Sequence, residues 1–451
     1  MSDHTDHMFH RPEAPAELLI QGAHVLDPRA DLDEPHDVLI RDGQIAELGS
    51  PGSLTAGDGV ETLDAEGKHL FPGFVDPHVH LRTPGQEHKE NIATGTAAAA
   101  AGGFCAVIAM PNTNPVVDDA AVLRSLTETA TREATVPTGF LAAITRNLAG
   151  QELTEMAELR DAGALGFTDD GKPVVSAGVL RKALQYQRLC GGVIALHEED
   201  PGLSGDGAMH EGAVSARLGI AGIPSLSEST MVARDAALAA YEGARMHFQH
   251  LSCVESVEAL ANAKAAGAHV TAEVSPHHLT LTDDEVRTLD SRFKMNPPLR
   301  CESDRRALIA ALKTGLIDCV ATDHAPHARH EKEVPFEEAP MGTTGLETAF
   351  AAVFTELVLT GELELDTLVA RMTQGAALYD LPVPTIVPGQ IANLCLVDLD
   401  EPFVVGAEGY ASRSENCCFD GRSLHGKVLL TLAAGAVAFR TRTLAEARAV
   451  R

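Results

Sequence analysis

Between residues 71 and 326 the chain alternates short, β-rich apolar runs with longer Ala- and Leu-rich stretches of helical character. The runs predict strands at 73–81, 106–110, 139–145, 165–168, 192–196, 245–251, 269–274 and 317–322. The intervals predict helices at 92–101, 122–134, 179–189, 230–242, 254–266 and 302–314. A parallel sheet covered by helices buries both of its faces, which is why its strands read as continuous apolar runs. Eight such units over about 250 residues match the size of a (β/α)8 TIM barrel. The predicted fold class is therefore α/β.

The flanks follow a different pattern. Residues 18–22, 37–41 and 44–48 on one side, and 392–398, 427–432 and 436–439 on the other, are short strand candidates separated by turns. They predict a small composite β-sandwich domain from 18–70 plus 386–451, enclosing a barrel over 71–385. Residues 1–17, rich in His, Asp and Pro, are expected to be a mobile tail.

Composition narrows the class. A hydrophobic fraction of 45% in 451 residues supports a large and a small core and excludes wholesale disorder. No run approaches the ~20 apolar residues of a membrane span, and residues 1–17 lack the apolar centre of a secretory signal. The eight cysteines contain no Cys-x-x-Cys pair, so buried reduced thiols and a cytoplasmic location are expected. A formal net charge of -29 leaves no basic footprint for nucleic acid or an anionic membrane. An anionic substrate would need local positive charge from a metal or an arginine.

The candidate chemistry lies where TIM barrels carry it, at the carboxyl ends of the strands. His78, His80 and Arg82 follow the first predicted strand, and Asn112 the second. Asp169 and Asp170 follow the fourth, His197 the fifth, His250 the sixth, and Asp323, His324 and His327 the eighth. His78 and His80 are two apart in an extended strand, so both imidazoles can reach one point. Four histidines with carboxylates exceed the three protein ligands of a single catalytic zinc. A carboxylate bridging two metals explains the surplus, and an aspartate beside them is a natural general base.

Five motifs resemble those of type I bacterial dihydroorotases in the amidohydrolase superfamily. They are His78-Val79-His80-Leu81-Arg82, Met110-Pro111-Asn112-Thr113, Phe167-Thr168-Asp169-Asp170-Gly171, Lys294-Met295-Asn296-Pro297-Pro298 and Ala321-Thr322-Asp323-His324-Ala325-Pro326-His327. The resemblance runs in order from about residue 18 to about residue 440. It implies a zinc enzyme that reversibly cyclises N-carbamoyl-L-aspartate to dihydroorotate in pyrimidine biosynthesis.

Carried over by position, the resemblance makes His78, His80 and Asp323 ligands of one Zn2+ and His197 and His250 ligands of a second, with Asp170 bridging. Many superfamily relatives bridge with a carbamylated lysine; here the nearest lysine is Lys172, past the glycine. The shorter aspartate bridge is expected to hold the second zinc less tightly. Periodicity alone does not separate Asp170 from Asp169; family position favours Asp170. Asp323 is the implied catalytic proton carrier. His80, Arg82, Asn112, Asn296, His327, Met341 and Gly342 are the implied substrate contacts, with Arg82 and Asn112 on the carboxylate. His277 and His278 receive no metal. Residues 328–339 read equally as a mobile lid or a solvated loop. A homodimer is the expected assembly, with aspartate carbamoyltransferase as a candidate partner. The alternatives are a hydantoinase- or allantoinase-type cyclic amidohydrolase and a non-catalytic scaffold for that transferase.

Overall fold

The structure, a computed structural model, describes residues 4–442 and 444. Its larger body is a barrel of eight parallel strands: Phe74–Val79, Phe104–Ala109, Thr138–Ala142, Ala164–Phe167, Ile194–Leu196, Met246–Phe248, Val270–Val274 and Cys319–Val320. Neighbours in space are neighbours in sequence. The ring closes where His80 N donates to His324 O at 2.9 Å and Val79 bridges His324 in parallel.

Asp76 reinforces that closure. Fully buried in the first strand, it accepts hydrogen bonds from Thr322 N at 3.1 Å, Thr322 Oγ1 at 2.5 Å and His78 N at 3.1 Å. Burial raises its pKa to about 7, although these donors favour the charge. One carboxylate thus ties the first barrel strand to the last, immediately below the histidine pair.

The helices follow their sequence signals. Ile92–Ala101 opens with a capping box: Asn91 Oδ1 accepts from Thr94 N, and Thr94 Oγ1 accepts from Asn91 N. Its alanines let the helix lie close to both sheets, with Thr431 Oγ1 donating to Ala100 O at 2.7 Å. Helices Met156–Asp161 and Leu365–Thr373 were not anticipated; the first is too short to show a clear period.

The two β-rich ends form one eight-stranded sheet. Its order is Ala436–Arg440, Lys427–Ala433, Leu394–Asp398, His69–Pro72, Leu18–Asp27, Leu32–Arg41 and Gln44–Gly49, with Glu61–Asp64 pairing beside Leu18–Asp27. The sheet curls over its own core of Leu, Ile, Val and Ala side chains. The turn at Gly43 meets the turn at Gly435, and Ala392 N donates to Gly43 O at 2.9 Å.

Gly73 joins this sheet to the barrel. A Cβ there would lie 2.7 Å from Cys105 Cβ and 3.2 Å from the Asn393 carbonyl carbon, so only glycine passes between the layers. Residues 403–424, assigned to the sheet domain from sequence, instead place Val405, Cys417, Cys418, Phe419 and Leu424 against Leu281, Met295 and Leu299. The expected mobile tail also looks different within the described residues. Phe9 exchanges both backbone hydrogen bonds with Thr138, and Met8 and Phe9 pack on the barrel core. Residues 1–3 of that tail lie outside the described residues.

Candidate metal centre

His78, His80, Asp170, His197, His250 and Asp323 converge at the carboxyl ends of the strands, and all six are buried. Asp170 lies at the middle. Its Oδ1 is 3.5 Å from His78 Nε2, 3.7 Å from His250 Nε2 and 3.9 Å from His197 Nδ1, and its Oδ2 is 3.4 Å from His80 Nε2. Asp323 Oδ1 lies 3.0 Å from His80 Nε2 and 3.5 Å from His78 Nε2. Burial works against the charge on Asp170, but His78 and the other imidazoles outweigh it and hold the carboxyl well below its usual range.

The donor set fits a bound cation. His78 Nε2 and Asp170 Oδ1 are buried without a hydrogen-bond partner, and orphaned polar atoms at such depth carry a desolvation penalty. Two overlapping ligand groups are present: His78, His80 and Asp323, and His78, Asp170 and His250. Imidazole and carboxylate donors suit zinc. A third cluster, His210, Cys301 and Asp304, has Arg300 Nη1 only 3.3 Å from His210 Nδ1, which places a fixed cation beside it.

The far side of three of the four histidines is also held, whereas His250 Nδ1 is buried without a partner. His78 Nδ1 lies 2.6 Å from Glu273 Oε1, and His80 Nδ1 lies 2.9 Å from Asn112 Oδ1. His197 Nε2 lies 3.2 Å from Glu199 Oε2. Such contacts fix ring orientation and leave the opposite nitrogen for a metal. Asp169 points elsewhere: it accepts from Ile144 N at 2.8 Å, Thr145 N at 2.9 Å and the Thr145 hydroxyl. It braces a neighbouring loop, and the four imidazoles gather around Asp170.

The rim holds the remaining sequence candidates. Arg82 is nearly buried and donates Nε to Pro326 O at 3.1 Å. Burial lowers its pKa to about 10, so it stays charged at neutral pH. His327 donates Nε2–H to Met341 O at 2.8 Å, and its own N–H donates to Asn416 Oδ1 at 3.0 Å. Burial and then Arg82 push the His327 pKa down to about 2, which keeps it neutral. Gly342 has φ +138°, and a Cβ there would lie 2.8 Å from Ala325 Cβ and 3.0 Å from His327 Nε2. Asn296 Nδ2 donates to Glu199 Oε2 at 2.7 Å. Asn112 stands beside the cluster, its Oδ1 2.9 Å from His80 Nδ1 and its Nδ2 donating to Asp170 Oδ2 at 3.5 Å. Arg82, His250 and Asp323 adopt positive φ of 59°, 30° and 47°, backbone strain concentrated at the centre.

Sequence reading overlooked Glu273, Glu199 and Asn416. Glu273 had a visible signal, being the only charged residue in strand Val270–Val274, where a buried carboxylate requires partners. His277 and His278 fall in none of the candidate ligand groups; His278 bridges Ser275 Oγ at 2.7 Å and Pro297 O at 3.0 Å. All eight cysteines are free thiols, six of them buried.

A family model described as Dihydro-orotase-like matches residues 67–256. Dihydroorotase of Pelotomaculum thermopropionicum is 46% identical over 428 residues, covering 95% of this chain and 99% of that one. Dihydroorotase of Desulforapulum autotrophicum is 43% identical, covering 94% and 99%. Among solved structures, L-hydantoinase (dihydropyrimidinase) from Arthrobacter aurescens superposes with a TM-score of 0.83 at 27% identity, over 94% of this chain and 96% of that one. The barrel, its additional sheet and near-complete alignment with these relatives agree, and the chain belongs to the dihydroorotase family of cyclic amidohydrolases.

Proposed function

We propose that this chain catalyses the reversible cyclisation of N-carbamoyl-L-aspartate to dihydroorotate with two zinc ions per subunit. The observation that carries the reading is Asp170 among four imidazoles, with Arg82 and His327 on the rim above. His78, His80 and Asp323 would hold one zinc, His197 and His250 the other, and Asp170 both. Bound zinc supplies Lewis-acid polarisation of the amide carbonyl and lowers the pKa of water.

The chain's own groups do the rest. Arg82 presents a planar guanidinium suited to bidentate recognition of the substrate carboxylate. Its local charge offsets the acidic character of the whole molecule. Asn296, neutral His327 and the backbone at Met341 and Gly342 hold the ring. In hydrolysis Asp323 accepts a proton from the attacking water and returns it to the departing ring nitrogen. In synthesis the protonated Asp323 assists loss of water as the carbamoyl nitrogen closes on the carboxylate carbon.

Purified protein assayed for ring opening and ring closure, with zinc counted in parallel, tests the reading. We expect activity toward dihydroorotate exceeding that toward hydantoin, and loss of both zinc and activity in Asp170→Ala. Preference for hydantoin would move the chain to a different cyclic amide, and zinc retained in full by Asp170→Ala would remove the bridge. A homodimer extends the reading on the frequency of C2 pairs among soluble enzymes. Among the described residues no helix is long and apolar enough to cross a membrane.

A further inference from the structure

Lys332 lies on the short helix Arg329–Lys332, within the acidic stretch that read equally as lid or loop. Only 6% of it is exposed. Its Nζ donates to Pro340 O at 2.9 Å, Gly342 O at 3.0 Å and Lys294 O at 3.3 Å. An ammonium has three donors, and each has a carbonyl. Among the described residues no carboxylate lies within 4.0 Å to pair with it. Burial and then Lys294 pull its pKa down to about 7, so the charge is placed there at a cost that the carbonyl dipoles must offset.

The three carbonyls belong to two loops that meet at the rim. Lys294 precedes Asn296 by two residues. Pro340 and Gly342 flank Met341, whose carbonyl accepts from His327. The loops also touch directly, Gly342 N donating to Lys294 O at 2.9 Å. Ser291 Oγ holds Lys332 in turn, donating to its carbonyl at 2.5 Å.

We propose that Lys332 is a positioning residue that ties the Asn296 loop to the Pro340–Gly342 loop, so that both present to substrate as one surface. The inference rests on the dihydroorotase reading of the site. The Lys332 ammonium hydrogen-bonds to these three carbonyls and to no residue of the metal cluster, so its influence passes through the backbone of the two loops. Without the ammonium, the three carbonyls lose their common donor and the direct Gly342 N–Lys294 O bond is left to join the loops, which loosens their register. Substrate binding then weakens, whereas the imidazole cluster, held from Glu273, Asn112 and Glu199, keeps its metal.

The test uses the zinc-loaded enzyme with Lys332→Met and Lys332→Arg, measuring kcat, KM and zinc content in both directions. Lys332→Met should raise KM by about tenfold or more, with kcat changed far less and zinc unchanged. Lys332→Arg, which retains a charged donor, should recover part of the lost affinity. An unchanged KM in folded, zinc-loaded Lys332→Met overturns the proposal, as does a loss of zinc together with kcat. Should Lys332→Met fail to fold, Lys332→Gln decides on the same readouts. An inactive wild type would sink the dihydroorotase reading itself, whereas an active wild type with an indifferent Lys332→Met sinks only the tie.

Discussion

Glu273 and His78 face each other across the barrel with 2.6 Å between Oε1 and Nδ1, and the second carboxylate oxygen of Glu273 lies 3.0 Å from His247 Nε2. Oε1 also accepts from His250 N at 3.3 Å, so the glutamate holds two members of the cluster from behind. Its carboxylate locks the tautomer of His78, so that Nε2 faces Asp170 and Asp323. Glu273→Gln should therefore leave the fold intact and lower zinc affinity by about 10- to 100-fold. Chelator competition followed by circular dichroism measures both, and undiminished affinity would show that the glutamate does not set the ring.

The same carboxylate gives the metal-free protein an acid-sensitive contribution. Burial opposes its charge, but His78 and His247 overcome that and lower its pKa to about 2. A depressed folded pKa contributes stability that is present above the unfolded value of about 4.5 and is lost as pH falls toward about 2. Urea midpoints of the zinc-stripped wild type should fall across this window more steeply than those of Glu273→Gln. Parallel curves would place the acid sensitivity elsewhere.

Arg82→Met should lower kcat/KM for dihydroorotate by about 10- to 150-fold, because a charged hydrogen bond contributes about 1.5–3 kcal/mol. Any slow turnover of hydantoin, which lacks the carboxylate, should change little. An equal loss on both substrates would recast Arg82 as a structural group anchored on Pro326.

Ring closure needs a proton on Asp323 and ring opening needs its carboxylate. Burial opposes the charge, but His78 and then His80 hold this carboxyl well below its usual range. Closure should therefore slow as pH rises from about 6 to about 9, while opening, already served by the carboxylate, does not slow with it. Asp323→Asn should depress both by about 10²- to 10⁴-fold. Parallel pH profiles in the two directions would remove Asp323 from the proton transfer.

The strand-end histidines were legible because a parallel barrel brings every carboxyl end to one mouth, so position along a strand stands in for position in space. The groups that aim those histidines were harder to see. Glu273 reaches His78 over 195 residues of chain, and Asn416 reaches His327 over 89; no local period records either pairing. Asp169 and Asp170 differ by one place in sequence, and only the backbone at the strand end decides which turns inward. The docked tail escaped notice for a related reason. Phe9 is one aromatic residue in a polar stretch, and its partner, Thr138, belongs to a strand far along the chain.

Gly73→Ala should cost about 1–3 kcal/mol, the penalty for an added methyl group in a packed interior. Thermal melting of the zinc-loaded protein would register it, and an unchanged melting temperature would mean that the Cys105 and Asn393 walls give way.

The strand His69–Pro72 lies inside the composite sheet and passes through Gly73 directly into the strand Phe74–Val79, which carries His78 and delivers His80 just past its end. One of its neighbours, Leu394–Asp398, is separated from it along the chain by residues 73–393, which include the whole barrel. The first two candidate metal ligands to be synthesised therefore sit on a segment whose final support arrives hundreds of residues later. Assembly of the candidate metal centre thus waits on a strand made after the barrel, and the wall against which that centre is set is closed only when Leu394–Asp398 has joined the sheet.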